Sequence, residues 1–265
     1  MRACMIIGLA TSLLSANAHT AEVPPDVGRG REIVEAARKQ NAGFQSLSAS
    51  VEMTLVNRRG QSHMRRLHMH VLEREEGGRY SRCDVEAPPD VRGTVLLSHS
   101  IPDTDSNQWL YLPSLRRTRR IAAQARSGAF MGSEFSYEDL IGHPLDRGYH
   151  RWLYDTHLDD RHCHVLEWVP IDPRSSGYYR QIVWVDSQNY RVWQVEYYNR
   201  RQERQKTLTL SGYRLYNDRF WYATQMHMHN HLSGNQTKLV WSAIEIGTKI
   251  PPVIFDPERL GSPIH

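Results

Sequence analysis

The sequence predicts a mainly β protein, in which one N-terminal helix precedes a single large, strongly curved antiparallel sheet or barrel. Three observations carry this prediction. From Ser48 to Ile246 the apolar residues recur with a period of two, turn-forming clusters interrupt that rhythm at short intervals, and only one stretch before it has a helical period.

The helix comes first. After Pro24-Pro25, residues Asp26 to Phe44 place Ile33, Val34, Ala37 and Phe44 on one side and Glu32, Glu35, Arg38 and Lys39 on the other, with Asp26 as the cap. From Ser48 the period changes. Val51, Met53 and Leu55 alternate with Glu52 and Thr54, a turn falls at Arg59-Gly60, and Leu67, Met69 and Val71 then alternate with Arg66, His68 and His70. That pattern is a hairpin.

Further strands follow at Arg79 to Glu86, Gly93 to Ser98, Gln108 to Leu112, Tyr149 to Leu158, His162 to Val169 and Tyr179 to Asp186. The last are Tyr190 to Asn199, Lys206 to Tyr213, Phe220 to His231 and Thr237 to Ile246. Asp172-Pro173, Ser187-Gln188-Asn189, Asn217-Asp218 and Ser233-Gly234-Asn235 supply turns between them. The meander amounts to about ten to twelve strands. Residues Arg116 to Pro144 interrupt it with an arginine cluster, a Gly- and Ser-containing run from Ser127 to Ser133, and a short helix expected from near Ser136.

The N-terminus reads as a secretory leader. Arg2 precedes the apolar run Ala3 to Leu14 and the small-x-small pattern Ala16-Asn17-Ala18, which places cleavage after Ala18. That run is shorter than the roughly 20 residues a membrane-spanning helix needs, and Cys4 lies too early to be a lipidation site. The expectation is a leader at residues 1–18, one domain at 19–265 and a periplasmic location. Loss of Arg2 lowers the net charge from +4 to +3. So mild a balance, with arginines spread along the chain, argues against a nucleic-acid binder. Cys83 and Cys163 remain after cleavage, and the sequence leaves open a disulfide or two separate thiols.

The chain carries no G-x-S-x-G elbow, no H-E-x-x-H and no phosphate-cradling glycine loop, so no catalytic residue is assigned and an enzyme is not expected. Gly132-Ser133 is followed by Glu134-Phe135 and lacks the glycine a strained elbow needs. His227, His229 and His231 alternate on one strand face, as do His68 with His70 and His162 with His164. Such ladders suit a solvated face or a metal-binding module, although Met226 and Met228 would point away from the histidines. No cofactor or resident metal is assigned. Arg116, Arg117, Arg119 and Arg120 form either a solvated loop or a patch that docks an acidic surface or anionic lipid head groups. Trp109, Tyr111, Phe130, Met131, Phe135, Trp184, Trp193, Trp221 and Trp241 are candidates to line a lipid-sized cavity.

The run Gln108-Trp109-Leu110-Tyr111-Leu112-Pro113-x-Leu115-Arg116-Arg117-x-Arg119-Arg120-Ile121, followed by Phe130-Met131-Gly132-Ser133-Glu134-Phe135-Ser136-Tyr137-Glu138-Asp139-Leu140, resembles the outer-membrane lipoprotein-sorting protein family, the LolA-like carriers, in a divergent branch. The resemblance implies a half-open antiparallel barrel of about eleven strands with helices forming a lid over an apolar cavity. It further implies a monomeric carrier that takes an acylated lipoprotein or a lipid from an inner-membrane transporter, such as a resistance–nodulation–division type exporter, to an outer-membrane acceptor. Phe130 to Leu140 would then form the lid or cavity rim, which adds Tyr137 and Leu140 to the candidate lining residues, with Gly128 and Gly132 giving the segment freedom to move, and Arg116 to Arg120 would face the inner-membrane partner. A metal-binding module and a non-carrier adaptor of such an exporter are the alternative readings.

Overall fold

A computed structural model describes residues 25–75, 77–100, 106–141 and 148–262; the expected leader lies outside them. Among these residues, helix α1 (Pro25–Asn41) precedes thirteen strands. The first group is β1 (Ser46–Val56), β2 (Ser62–Glu73), β3 (Arg79–Ala87), β4 (Val95–Ser100), β5 (Asn107–Leu112) and β6 (Arg117–Arg120). The second is β7 (Gly148–Leu158), β8 (Arg161–Pro170), β9 (Tyr178–Asp186), β10 (Val192–Asn199), β11 (Arg204–Tyr216), β12 (Phe220–Asn230) and β13 (Gln236–Ile246).

All thirteen belong to one antiparallel sheet in the order β6-β5-β4-β3-β2-β1-β13-β12-β11-β10-β9-β8-β7. Two meanders are therefore joined where β1 pairs with β13, for instance Met53 opposite Leu239. β6 and β7 are the free edges and do not pair, so the barrel is half open. The fold class is the one expected, with thirteen strands instead of about eleven. One strand the alternation missed is β6, whose Arg-Thr-Arg-Arg sequence is exposed throughout and has no apolar period to read.

Local chemistry fixes the hairpins. Between β1 and β2, the Asn57 Oδ1 accepts from the Arg59 and Gln61 amides at 2.9 and 3.1 Å, and Gly60 adopts a φ of 80°. The side chain thus substitutes for a backbone turn partner. Along β1, Leu47, Ala49, Val51 and Met53 are buried while Glu52 is exposed, which sets the register of the concave face.

Helix α1 packs on the β7 edge. A Cβ at Gly30 would lie 2.7 Å from the Trp152 amide nitrogen, so only glycine permits the helix to approach this closely. Ile33 packs with Leu166 and Val185 beneath it. At the other end, the segment after β13 folds back over the convex face of β3 to β5. Ile254, Phe255 and Leu260 cover Val95 and Leu97, and the Arg82 guanidinium donates to the Ile254 carbonyl at 2.9 Å. Both faces of β4 are thereby covered, which explains the unbroken apolar run Val95-Leu96-Leu97 in place of alternation.

Candidate functional site

The concave face encloses a cavity of about 480 Å³, within the range of small-molecule sites. Its aliphatic wall includes Met53, Leu67, Met69, Leu96, Leu208 and Leu239. Phe44, Tyr190, Tyr213, Trp221 and Tyr222 lie at the end of the sheet where β1 and β12 begin. Trp241 also lines the wall. Phe44 meets Phe220 and Tyr222 edge-on, with ring centroids 6.5 and 6.2 Å apart.

Residues 126–141 stopper the cavity, running from Lys206 at the start of β11 to Arg79 at the start of β3. Phe130 and Phe135 are buried against the β1, β2, β11 and β13 side chains, with Met131, Tyr137 and Leu140 packed alongside. This segment contains no full helix: the helix expected near Ser136 is a single 3-10 turn, Glu138–Leu140. Its start has capping-box chemistry, since the Ser136 amide donates to Asp139 Oδ2 at 2.7 Å and the Asp139 amide donates to Ser136 Oγ at 3.3 Å. Met131 and Gly132 take left-handed backbone, with φ of 50° and 73°.

Polar ties hold the stopper in the barrel. The Lys206 ammonium donates to Asp139 Oδ2 at 3.0 Å and to the Glu134 carbonyl at 2.9 Å. The Tyr178 hydroxyl donates to Asp139 Oδ1 at 2.8 Å. Asn230 donates to the Glu134 carboxylate at 2.6 Å, and the Glu134 amide donates to Thr237 Oγ1 at 2.9 Å. Glu138 accepts from Ser176 and Gly177 at 2.7 and 2.9 Å. Burial raises the pKa of Glu138, although those two hydrogen bonds pull in the other direction. Burial likewise carries the Tyr178 and Tyr197 phenols well above their usual range. Arg65 donates to the Met131 carbonyl and Arg126 to the Ser106 carbonyl. The motif from Phe130 to Leu140 thus supplies two buried rings and a row of polar anchors.

Phe130, Phe135, Leu140, Trp221 and Trp241 line the cavity. Trp109 and Tyr111 project from the other face of β5, packing under the C-terminal segment beside Val95 and Leu97. Trp184 and Trp193 stand on β9 and β10 apart from the cavity wall, and the Trp193 indole donates to Asp186 at 3.1 Å. Arg117, Arg119 and Arg120 are all exposed on the β6 edge, and Arg116 occupies the preceding turn with a φ of 47°. Cys83 and Cys163 are buried free thiols, on strands separated around the sheet by β2, β1, β13, β12, β11, β10 and β9. Burial raises the pKa of both.

The histidine ladders pair locally. His227 meets the Gln236 amide oxygen at 2.8 Å, His231 meets Thr207 at 2.8 Å, and His164 meets Asp155 at 2.6 Å. Met226 and Met228 face the apolar interior on the opposite side of β12. Among the described residues, no three His, Cys, Asp or Glu side chains are grouped to hold one metal ion.

A family model described as an uncharacterized protein matches residues 77–262. No curated protein matches the sequence. Among solved structures, a domain named for outer membrane lipoprotein sorting from Vibrio parahaemolyticus is 36% identical with a TM-score of 0.85, over 89% of this chain and 99% of that one. A DUF1329 family protein from Desulfovibrio piger ATCC 29098 is 24% identical with a TM-score of 0.83, over 89% and 99% of the two chains. A LolA superfamily protein from Nitrosomonas europaea is 20% identical with a TM-score of 0.67, over 86% and 97%. The latter two establish likeness of fold.

Proposed function

Because this chain belongs to the outer-membrane lipoprotein-sorting protein family, we propose that it is a periplasmic carrier that shields the acyl chain of a lipoprotein or lipid and passes it from an inner-membrane transporter to the outer membrane. The observation that supports this most is the apolar cavity inside a half-open sheet, stoppered by residues 126–141 and ringed by aromatic side chains where β1 and β12 begin. Each buried methylene contributes about 0.8 kcal/mol, so a chain lying along this wall competes with a bilayer without any catalytic group. A methylene is about the size of a water molecule, which takes about 30 Å³, so the cavity has room for roughly 16 such groups, a whole acyl chain.

In this reading Phe130, Phe135, Leu140, Trp221 and Trp241 contact the cargo, and Met131 and Tyr137 support them from behind. The exposed arginines of β6 and its turn are the docking surface for the inner-membrane partner or the anionic head groups around it. Catalysis plays no part in the transfer.

Filling the cavity tests the proposal. The Leu208→Trp/Leu239→Trp variant occupies the aliphatic wall, and binding of a palmitoylated hexapeptide is followed by fluorescence anisotropy. Saturable binding by the unaltered protein and at least a tenfold loss in the filled variant, about 1.4 kcal/mol, are expected. Equal affinity in the two proteins would remove the cavity from the function.

A further inference from the structure

Only three charged side chains line the cavity among the described residues: Arg79, Asp139 and Arg191. Two of them are neutralised. Asp139 pairs with Lys206 at 3.0 Å, and Arg191 pairs with Asp186 at 2.7 Å. Arg191 also lies over the Trp221 ring, 4.7 Å from its centroid. Arg79 is different. No carboxylate of the described residues stands within 4.0 Å of its guanidinium. Glu73, directly opposite on β2, spends its carboxylate on the Gly43 and Gln45 amides at 3.0 and 2.8 Å.

The position of Arg79 is specific. It shares a strand face with Ser81 and Cys83, which also line the cavity, and it stands at the aromatic end, across from Glu73 and the loop that carries Phe44. Its hydrogen bond among the described residues is from Nη2 to the Ile141 carbonyl at 3.0 Å. A guanidinium has five N–H donors in a planar fork, so most of this one is unspent. Arg79 is exposed where it meets the cavity, so its unspent donors are open to a head group there; desolvation lowers its pKa and the nearby Glu73 charge pulls the other way. A guanidinium with free donors, facing only a carboxylate that is hydrogen-bonded elsewhere, is stabilised by any further oxyanion that reaches it, and the fork matches carboxylate and phosphate geometry.

We propose that Arg79 is a head-group receptor and that the cargo is an anionic amphiphile, its chain along the apolar wall and its carboxylate or phosphate on the Arg79 guanidinium. This rests on the carrier reading and narrows it. An acyl group joined through an ester or amide, as on an acylated lipoprotein, offers only neutral carbonyls at that position. A free fatty acid or a phosphorylated lipid offers the oxyanion that Arg79 lacks.

The test is isothermal titration calorimetry on delipidated protein at pH 8 with three probes of one chain length, dodecanoate, dodecyl phosphate and dodecanol. At least one anion is expected to bind about tenfold or more tightly than dodecanol, the scale of a charge-assisted hydrogen bond. The anion that binds better identifies the source as a carboxylate or a phosphate. In Arg79→Gln that preference should fall below about threefold while dodecanol affinity is unchanged. Circular dichroism reports whether Arg79→Gln folds; if it does not, Arg79→Lys, which keeps the charge and loses the fork, should narrow the preference. Equal binding of all three probes, or a preference that survives in the folded variant, overturns the Arg79 assignment and leaves the carrier reading intact. Failure of all three probes to bind overturns both.

Discussion

Lys206 and Asp139 form an ion pair at 3.0 Å with their side chains only 6% and 2% exposed, joining the first turn of β11 to the segment that stoppers the cavity. Tyr178 completes the arrangement through its hydroxyl on the same carboxylate. A buried pair need not stabilise relative to an apolar one, but removing one partner strands the other in low dielectric.

Lys206→Met alone, or Asp139→Leu alone, should therefore lower stability by about 3–5 kcal/mol in urea titrations. The double variant Lys206→Met/Asp139→Leu should lose clearly less than the two single losses added together, because no charge is left unpaired. Additive losses would show that the two side chains do not act as a unit.

Burial under α1 and the nearby Arg31 charge depress the His150 pKa from 6.5 to about 4. The unfolded chain then binds a proton that the folded chain refuses between those values, so His150 weakens the fold as pH falls below about 6.5, and the loss levels off near pH 4. Comparing urea midpoints at pH 7.5 and 5 in the native chain and in His150→Gln checks this: the variant should show the smaller drop. An identical pH dependence in both would assign the effect elsewhere.

Gly30→Ala sets two effects against each other. Alanine favours a helix by about 1 kcal/mol, yet its methyl would sit 2.7 Å from the Trp152 amide nitrogen. Backbone cannot yield as a flexible side chain does, so a net loss of about 1–3 kcal/mol is expected. A stabilised variant would mean that α1 does not rest directly on β7.

Replacing Arg116, Arg117, Arg119 and Arg120 together by Glu should abolish binding to phosphatidylglycerol vesicles at low salt while leaving stability within about 0.5 kcal/mol, since Arg117, Arg119 and Arg120 are exposed on an edge strand. Vesicle binding that survives the reversal would reject the docking surface.

Much of the fold was legible because a half-buried antiparallel sheet writes its faces directly into a two-residue period. The β1 and β2 alternation, for example, gave the concave set Val51, Met53, Leu67 and Met69. Two features escaped. The segment that covers the convex face from Ile250 to Leu260 is built of prolines and 3-10 turns and so has no period. Without it, the outward direction of Trp109 and Tyr111 could not be told from a cavity position, although the unbroken run Val95-Leu96-Leu97 signals that both faces of that part of the sheet are covered.

The site was legible in its motif and obscure in its charges. Phe130 and Phe135 were singled out as aromatic residues and Leu140 through the resemblance, and the structure shows what their neighbours do: Glu134, Ser136, Glu138 and Asp139 each tie the segment to the barrel. Lys206 and Arg79 were not singled out, since each is a lone basic residue in a strand with no motif around it. Lys206 nonetheless shares the parity of Leu208 and Leu210, which point into the cavity, and that parity was the available signal.

In the cell, the cavity should hold an acyl chain. Mass spectrometry of an organic extract from the protein, purified without detergent from the periplasmic fraction of cells that express it, tests this directly. An acyl-bearing molecule is expected at close to one per chain in the native protein, and its loss is expected in Leu208→Trp/Leu239→Trp. An extract free of acylated molecules, or the same yield from the filled variant, would contradict it.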